Sequence, residues 1–167
     1  HTWDTFLPLL RLHGIEAVVD VRSRPISRFA PFANKNQLAQ LLAAEGIGHA
    51  WMGEGLGGKP DDPDLTDDYG SPDYARIAAS PAFVNGIDEL MSLAESVTVA
   101  LMCAEADPTA CHRALLLAPA LAACGAQVAH IRKSGAAEMA FKTARYSGTI
   151  IPPSRGSEVG QGCPSAP

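Results

Sequence analysis

Residues 97–113, VTVALMCAEADPTACHR, constrain the fold more than any other stretch. Residues 97–102 are apolar or β-branched with no polar alternation, the pattern of a strand covered on both faces, as in a parallel sheet. Cys103 and Glu105 follow at its carboxyl end. Asp107, Pro108 and Thr109 are suited to a helix N-cap and first turn, and ACHRALLLAPALAAC supplies a helix that should end before Gly125. Cys111, His112 and Arg113 are therefore expected in that helix's first turn. In open α/β sheets, ligands bind beyond the strand carboxyl ends, where a helix N-terminus also favours anions. Five reactive side chains thus converge on a candidate crevice. A plain reading stands beside this one: Cys103 as a small buried hydrophobe, Glu105 and Arg113 as an ion pair, and His112 in solvent. The density of reactive types between two apolar runs favours a site.

The same pattern recurs elsewhere. EAVVDV, residues 16–21, is a second apolar run, ending in Asp20 and leading to Arg22. The loop RSRPISRFAPFANKN follows, broken by Pro25 and Pro31 and rich in arginine. It is either a solvated basic loop or a clamp in which Arg22 and Arg28 hold a phosphate or carboxylate. Helices are expected over residues 2–13, 36–45, 72–80 and 81–96, with short strands at 47–52 and 126–131. GEGLGGKP is glycine-rich but fits neither the phosphate-loop nor the dinucleotide pattern. The acidic segment DDPDLTDDYGSPD lacks calcium-loop spacing and is expected to be a solvated surface segment or a lid. Alternating helices and strands predict a mainly parallel sheet flanked by helices, a Rossmann-like three-layer sandwich in one domain over residues 1–131. From residue 132 to 167 glycine, serine, proline and alanine dominate, which predicts a flexible or partly helical tail, with AAEMAFKTARY as the candidate helix.

Composition bounds the function classes. No apolar run reaches the ~18 residues of a membrane span, and no basic-then-apolar leader opens the sequence, so a soluble, cytoplasmic protein is expected. Four cysteines at irregular spacing do not make a secreted disulfide framework. Residues 1–131 hold 8 Lys and Arg against 16 Asp and Glu, a net charge of −8, against −5 for the whole chain. That disfavours non-specific nucleic-acid binding and leaves the arginine-rich loop as its sole support.

AVVDVRSRPISRFAPF, the Leu-Gly-Gly at residues 56–58, LMCAEADPTACHRALL and VAHI resemble the successive motifs of the domain-of-unknown-function 488 family, over about residues 3 to 131. The resemblance implies a compact Rossmann-like domain of bacterial or archaeal type, cytoplasmic and without an established activity. It places the family's polar motif residues on Asp20, Arg22, Pro25, Ser27 and Arg28, and on Cys103, Glu105, Cys111, His112 and Arg113. It also implies a strand with a Gly-His-Ser motif before the first helix. This chain starts at His1, just inside that motif, so a preceding strand is expected to be missing.

Three functions follow. The first is an enzyme, a hydrolase or transferase, or else a ligand-binding domain, taking a small anionic, nucleotide- or phosphate-like ligand through Arg22, Ser27, Arg28 and Arg113. Glu105 or Asp20 would be its general acid or base, and Cys111, faced by Cys103, the nucleophile beside His112. The second is a metal-binding or redox and sulfur-transfer protein, in which Cys103, Cys111, His112 and either His130 or Glu105 hold zinc. Rhodanese-type sulfurtransferases share the order Asp-Val-Arg, strand, Cys, helix. Their catalytic Cys opens a tight loop closed by a nearby arginine, and here ten positions separate Cys103 from Arg113. The Cys-x5-Arg loop of cysteine phosphatases fails too, because residue 109 is Thr. The third is a nucleic-acid-associated module. No cofactor is required by the sequence, and nothing reads as a dedicated dimer helix.

Overall fold

The computed structural model describes residues 1–141. Its first helix, α1, spans Trp3–Leu12, opened by Thr2, whose N–H donates to Thr5 Oγ1 at 3.0 Å. Gly14, at φ +60°, lets the chain turn out of α1 in a conformation that a side chain resists. Strand β1, Ala17–Asp20, follows, and each of its residues is buried. Helix α2 (Lys35–Ala44) leads to β2 (Gly48–Trp51), and three helices, α3 (Gly53–Leu56), α4 (Tyr74–Ala79) and α5 (Pro81–Ala94), lead to β3 (Val99–Met102). Ser80 caps α5 by accepting from the Phe83 N–H at 3.2 Å, with Pro81 at the first helical position where its missing N–H costs nothing.

β1 is central in a three-stranded parallel sheet ordered β2-β1-β3, with Ala17 opposite both Gly48 and Val99 and Asp20 opposite both Trp51 and Met102. The pleat splits the core in two. Val18 packs with Leu10, Leu38, Leu42 and Ile47 under α1 and α2, whereas Val19 and Val21 pack with Leu56, Ile77, Phe83, Ile87 and Leu90 and with Leu116, Leu117 and Leu121. Helices therefore cover both faces, which is why β1 is apolar throughout until Asp20. The chain leaves β1 toward α2 on one face and leaves β3 toward the following helix on the other. The carboxyl ends of these neighbours thus part their loops, the arrangement that opens a crevice in α/β sheets.

Two sequence expectations change here. The helix after β3 starts later than Asp107 suggests. Asp107 caps only a tight turn, Pro108–Ala110, by accepting from the Thr109 N–H at 3.0 Å, and the chain is extended at Cys111 (φ −113°, ψ 146°) before turning helical at His112. The first helical stretch, Arg113–Leu117, is a wide π turn, continued by α6 (Ala118–Ala123). Pro119 supplies the reason: it has no N–H for the carbonyl four residues back and its ring crowds that carbonyl, so the turn before it widens. The other change concerns the C-terminal side. β4 (Ala129–Ile131) does not join the parallel sheet but pairs antiparallel with β5 (Ala137–Met139). Residues 137–139 are thus a strand where a helix was expected, and the rest of the expected tail lies outside the described residues.

Arg22, read from the sequence either as part of a solvated basic loop or as half of an anion clamp, is buried and paired within the protein. Arg22 Nε and Nη2 donate to Asp20 Oδ1 and Oδ2 at 2.8 and 2.6 Å, and Nη2 also donates to the Ala33 carbonyl. Asp20 is 0% and Arg22 7% exposed. Removing one partner leaves a buried charge uncompensated, which costs about 3–5 kcal/mol. Chemical denaturation of Asp20→Ala should show a loss of that size, and Asp20→Ala combined with Arg22→Ala should cost clearly less than the two single losses added together.

Candidate functional site

The carboxyl ends of β1 and β3 lie side by side, the Val21 N–H donating to the Met102 carbonyl at 3.1 Å. Cys103 continues β3 on the face of Val19, and the loop 104–110 swings out before returning Cys111 and His112 beneath it. The Cys103 and Cys111 sulfurs are 3.4 Å apart. His112 Nδ1 is 3.7 Å from the first and 3.6 Å from the second. Glu105 Oε2 is 2.7 Å from Cys103 Sγ and 3.8 Å from Cys111 Sγ. Cys111 and His112 are buried, Cys103 is half-buried and Glu105 is exposed, so the cluster opens to solvent on the Glu105 side.

His112 is fixed from behind. Its Nε2 is 3.2 Å from the Val21 carbonyl, which can only accept, so Nε2 carries a proton, and Nδ1 faces the two sulfurs. The glycine loop makes room for this. A Cβ on Gly58 would lie 2.6 Å from His112 Cβ and Cγ, and one on Gly53 would lie 1.9 Å from the Arg22 carbonyl oxygen. These glycines admit close contact with the protein's own backbone and His112.

Charge is divided unequally between the sulfurs. Hydrogen bonding with Cys103 holds the Cys111 thiol far below its ordinary value; burial opposes this, and His112 and Arg113 reinforce it. The same bond raises Cys103, with burial and the Glu105 carboxylate adding to the rise. Arg113 Nε donates to Cys111 Sγ at 3.4 Å, and Arg113 Nη2 donates to the Glu105 carbonyl. Two further residues border the cluster. Burial and the negative Cys111, Glu105 and Cys103 raise the Tyr74 phenol, and burial, then Arg113 and Arg132, lower His130. Tyr74 opens α4 from a loop whose contacts are set by packing, and no motif or spacing in the sequence marked it. Arg132 ties the β4–β5 ribbon to this loop, bonding Asp107 at 3.3 Å and Glu138 at 2.7 Å.

The candidate residues of the first loop lie apart from this cluster. Asp20 and Arg22 satisfy one another. Ser27 Oγ accepts from the Ala30 N–H at 3.0 Å and the Ser27 N–H donates to Asn34 Oδ1 at 2.7 Å, a staple within the loop. Arg28 is exposed, with no hydrogen bond or ion pair among the described residues. Of the four residues expected to grip an anion, only Arg113 stands at the sulfurs.

Among the described residues, Cys103, Cys111 and His112 form a group whose donor atoms all lie within 4.8 Å of one another. A tetrahedral metal with bonds of ~2.3 Å to sulfur and ~2.0–2.1 Å to nitrogen separates two sulfurs by about 3.8 Å and sulfur from nitrogen by about 3.6 Å. The observed 3.4, 3.6 and 3.7 Å are close to that set. Nitrogen-15 NMR of the histidines should show His112 as the Nε2-protonated tautomer, and Gly58→Ala, by pushing the ring away, should abolish that signature.

The model of the family described as Domain of unknown function DUF488 matches residues 2–119 of this chain. No curated protein and no solved structure matches it.

Proposed function

Since the chain belongs to the DUF488 family, whose description carries no activity, we propose from its own side chains that it is a metal-dependent enzyme, binding Zn2+ through Cys103, Cys111 and His112. The observation that carries this reading is the spacing of the three donor atoms, with His112 held by the Val21 carbonyl in the tautomer a metal needs. Two thiolates and a neutral imidazole suit a borderline-soft cation. Three protein ligands with an open side is the pattern of catalytic zinc, where the fourth position holds water whose pKa the metal lowers.

Glu105, exposed at the open side, would be the residue to take a proton from a water held there. Arg113 is the cation that would favour a small anionic substrate there. The parted loops after β1 and β3 put the site where a Rossmann-like three-layer sandwich binds its ligands, and we read the chain as a member of that architecture.

Metal analysis of the purified chain is the test. One zinc per chain is expected, with affinity falling by ~10-fold or more in Cys103→Ser and His112→Ala. Glu105→Gln should keep its metal; loss there would make Glu105 the fourth ligand and the site a closed, structural one. Cobalt in place of zinc should give the thiolate charge-transfer and strong d–d bands of a tetrahedral site. A metal-free chain that gains no stability with zinc would overturn the reading.

The contact of Arg113 Nε with Cys111 supports a second reading, in which Cys111 is the thiolate nucleophile of a metal-independent transferase acting on an anion. Thermal shifts with inorganic phosphate and nucleotides, present in the metal-free wild type and absent from Arg113→Ala, would favour it.

A further inference from the structure

The two sulfurs that ligate the metal in the reading above also stand at the distance of a pair that can join. Their separation of 3.4 Å exceeds a disulfide bond of ~2.05 Å by little more than an ångström. The pair is also unevenly exposed: Cys103 is half-buried beside the exposed Glu105, whereas Cys111 is 2% exposed. A small oxidant entering from the open side therefore meets Cys103 first and finds Cys111 behind it. That is the order of an attacked and a resolving cysteine.

We propose that the site is a redox switch, in which hydrogen peroxide joins Cys103 to Cys111 and so releases the zinc. This inference rests on the metal reading. Zinc holds both sulfurs as thiolates. The Cys103 thiolate attacks one peroxide oxygen, the O–O bond breaks, and the departing oxygen leaves as water after taking up a proton. Cys103 is then a sulfenic acid. The Cys111 thiolate attacks the Cys103 sulfur, the S–O bond breaks, and the hydroxide leaves as a second water after protonation. The two sulfurs together lose two electrons and the peroxide gains them. Zinc keeps His112 as its only ligand from the original three, too few to hold it.

The rest of the site is built to outlast the change. The His112 ring is held by the Val21 carbonyl and packed on Gly58, and neither contact involves sulfur. Asp107, which caps the turn between the two cysteines, is bonded to Arg132 of the ribbon. Reduction by a dithiol should therefore return a cluster ready to bind zinc again.

The test is titration of the zinc-loaded chain with hydrogen peroxide, reading free zinc with a chromogenic chelator and mapping peptides without reduction. Near one equivalent, zinc release should rise in step with a peptide cross-linking Cys103 to Cys111. Dithiothreitol followed by zinc should reverse both. The mapping is done on wild type, so no variant has to fold. Zinc retained through several equivalents overturns the switch and leaves the metal site standing. Release accompanied by Cys103 sulfinic acid and no cross-link overturns it as well. A chain that takes up no zinc at the outset overturns the metal reading, and the switch falls with it.

Discussion

A full negative charge on Asp20, wholly buried at the end of the central strand, is the constraint around which the rest is arranged. Such a charge survives burial only if its partner and the partner's remaining donors are satisfied together. Arg22 meets that need with two bonds to the carboxylate and one to the Ala33 carbonyl, and the Asp20 carboxylate also accepts the Arg22 N–H at 3.1 Å. These contacts fix the backbone of residues 20–22, whose carbonyls then serve neighbours. The Arg22 carbonyl accepts from Trp51 Nε1 at 2.9 Å, the Asp20 carbonyl from the Met52 N–H at 3.1 Å, and the Val21 carbonyl orients His112. One ion pair thus links the sheet, the glycine loop and the cysteine cluster. The candidate site depends on it without containing it.

Where burial runs along a strand, the sequence carried its own explanation. The unbroken apolar runs before Asp20 and Cys103 read directly as strands covered on both faces, and in a parallel sheet that placed both polar ends on one edge. The cysteines, Glu105, His112 and Arg113 were legible as a group for the same reason. Cap residues were a poorer guide, because Asp107 caps equally well a single tight turn and a long helix. The extended backbone of Cys111 ends the turn that Asp107 caps, and the helix proper begins only after it. The short run at residues 126–131 had the composition of a sheet strand, but its partner is β5, across a turn that composition marked as tail.

Arg22 and Arg28 share a residue type, a loop and a motif, and they end in opposite environments. The difference is already in the strand. Asp20 lies on the face of Val18, two residues before Arg22, so a guanidinium at that position meets a carboxylate that cannot turn to water. Arg28 has no such neighbour in the chain and stays in solvent. An arginine within two residues of a buried carboxylate is therefore a structural partner before it is a ligand for anions. The same reasoning strengthens Arg113, whose acceptors are a backbone carbonyl and the Cys111 sulfur and include no carboxylate.

Holding two thiols, a carboxylate and an imidazole within a few ångströms is unfavourable unless something draws their charges together. Among the protein's own groups the two sulfurs share charge unequally: hydrogen bonding with Cys103 holds Cys111 low, and the same bond, burial and Glu105 push Cys103 up. On the metal reading, a divalent cation would remove that conflict by accepting both sulfurs as anions, with His112 Nδ1, which faces them, as the third donor. The packing of Gly58 against His112 involves protein atoms only, so on that reading little would have to be ordered on binding. On the proposed reading, preorganisation of this kind would give the dithiol two outcomes, joined through a metal or joined to each other, with the half-buried position of Cys103 leaving the choice to whatever reaches it from solvent.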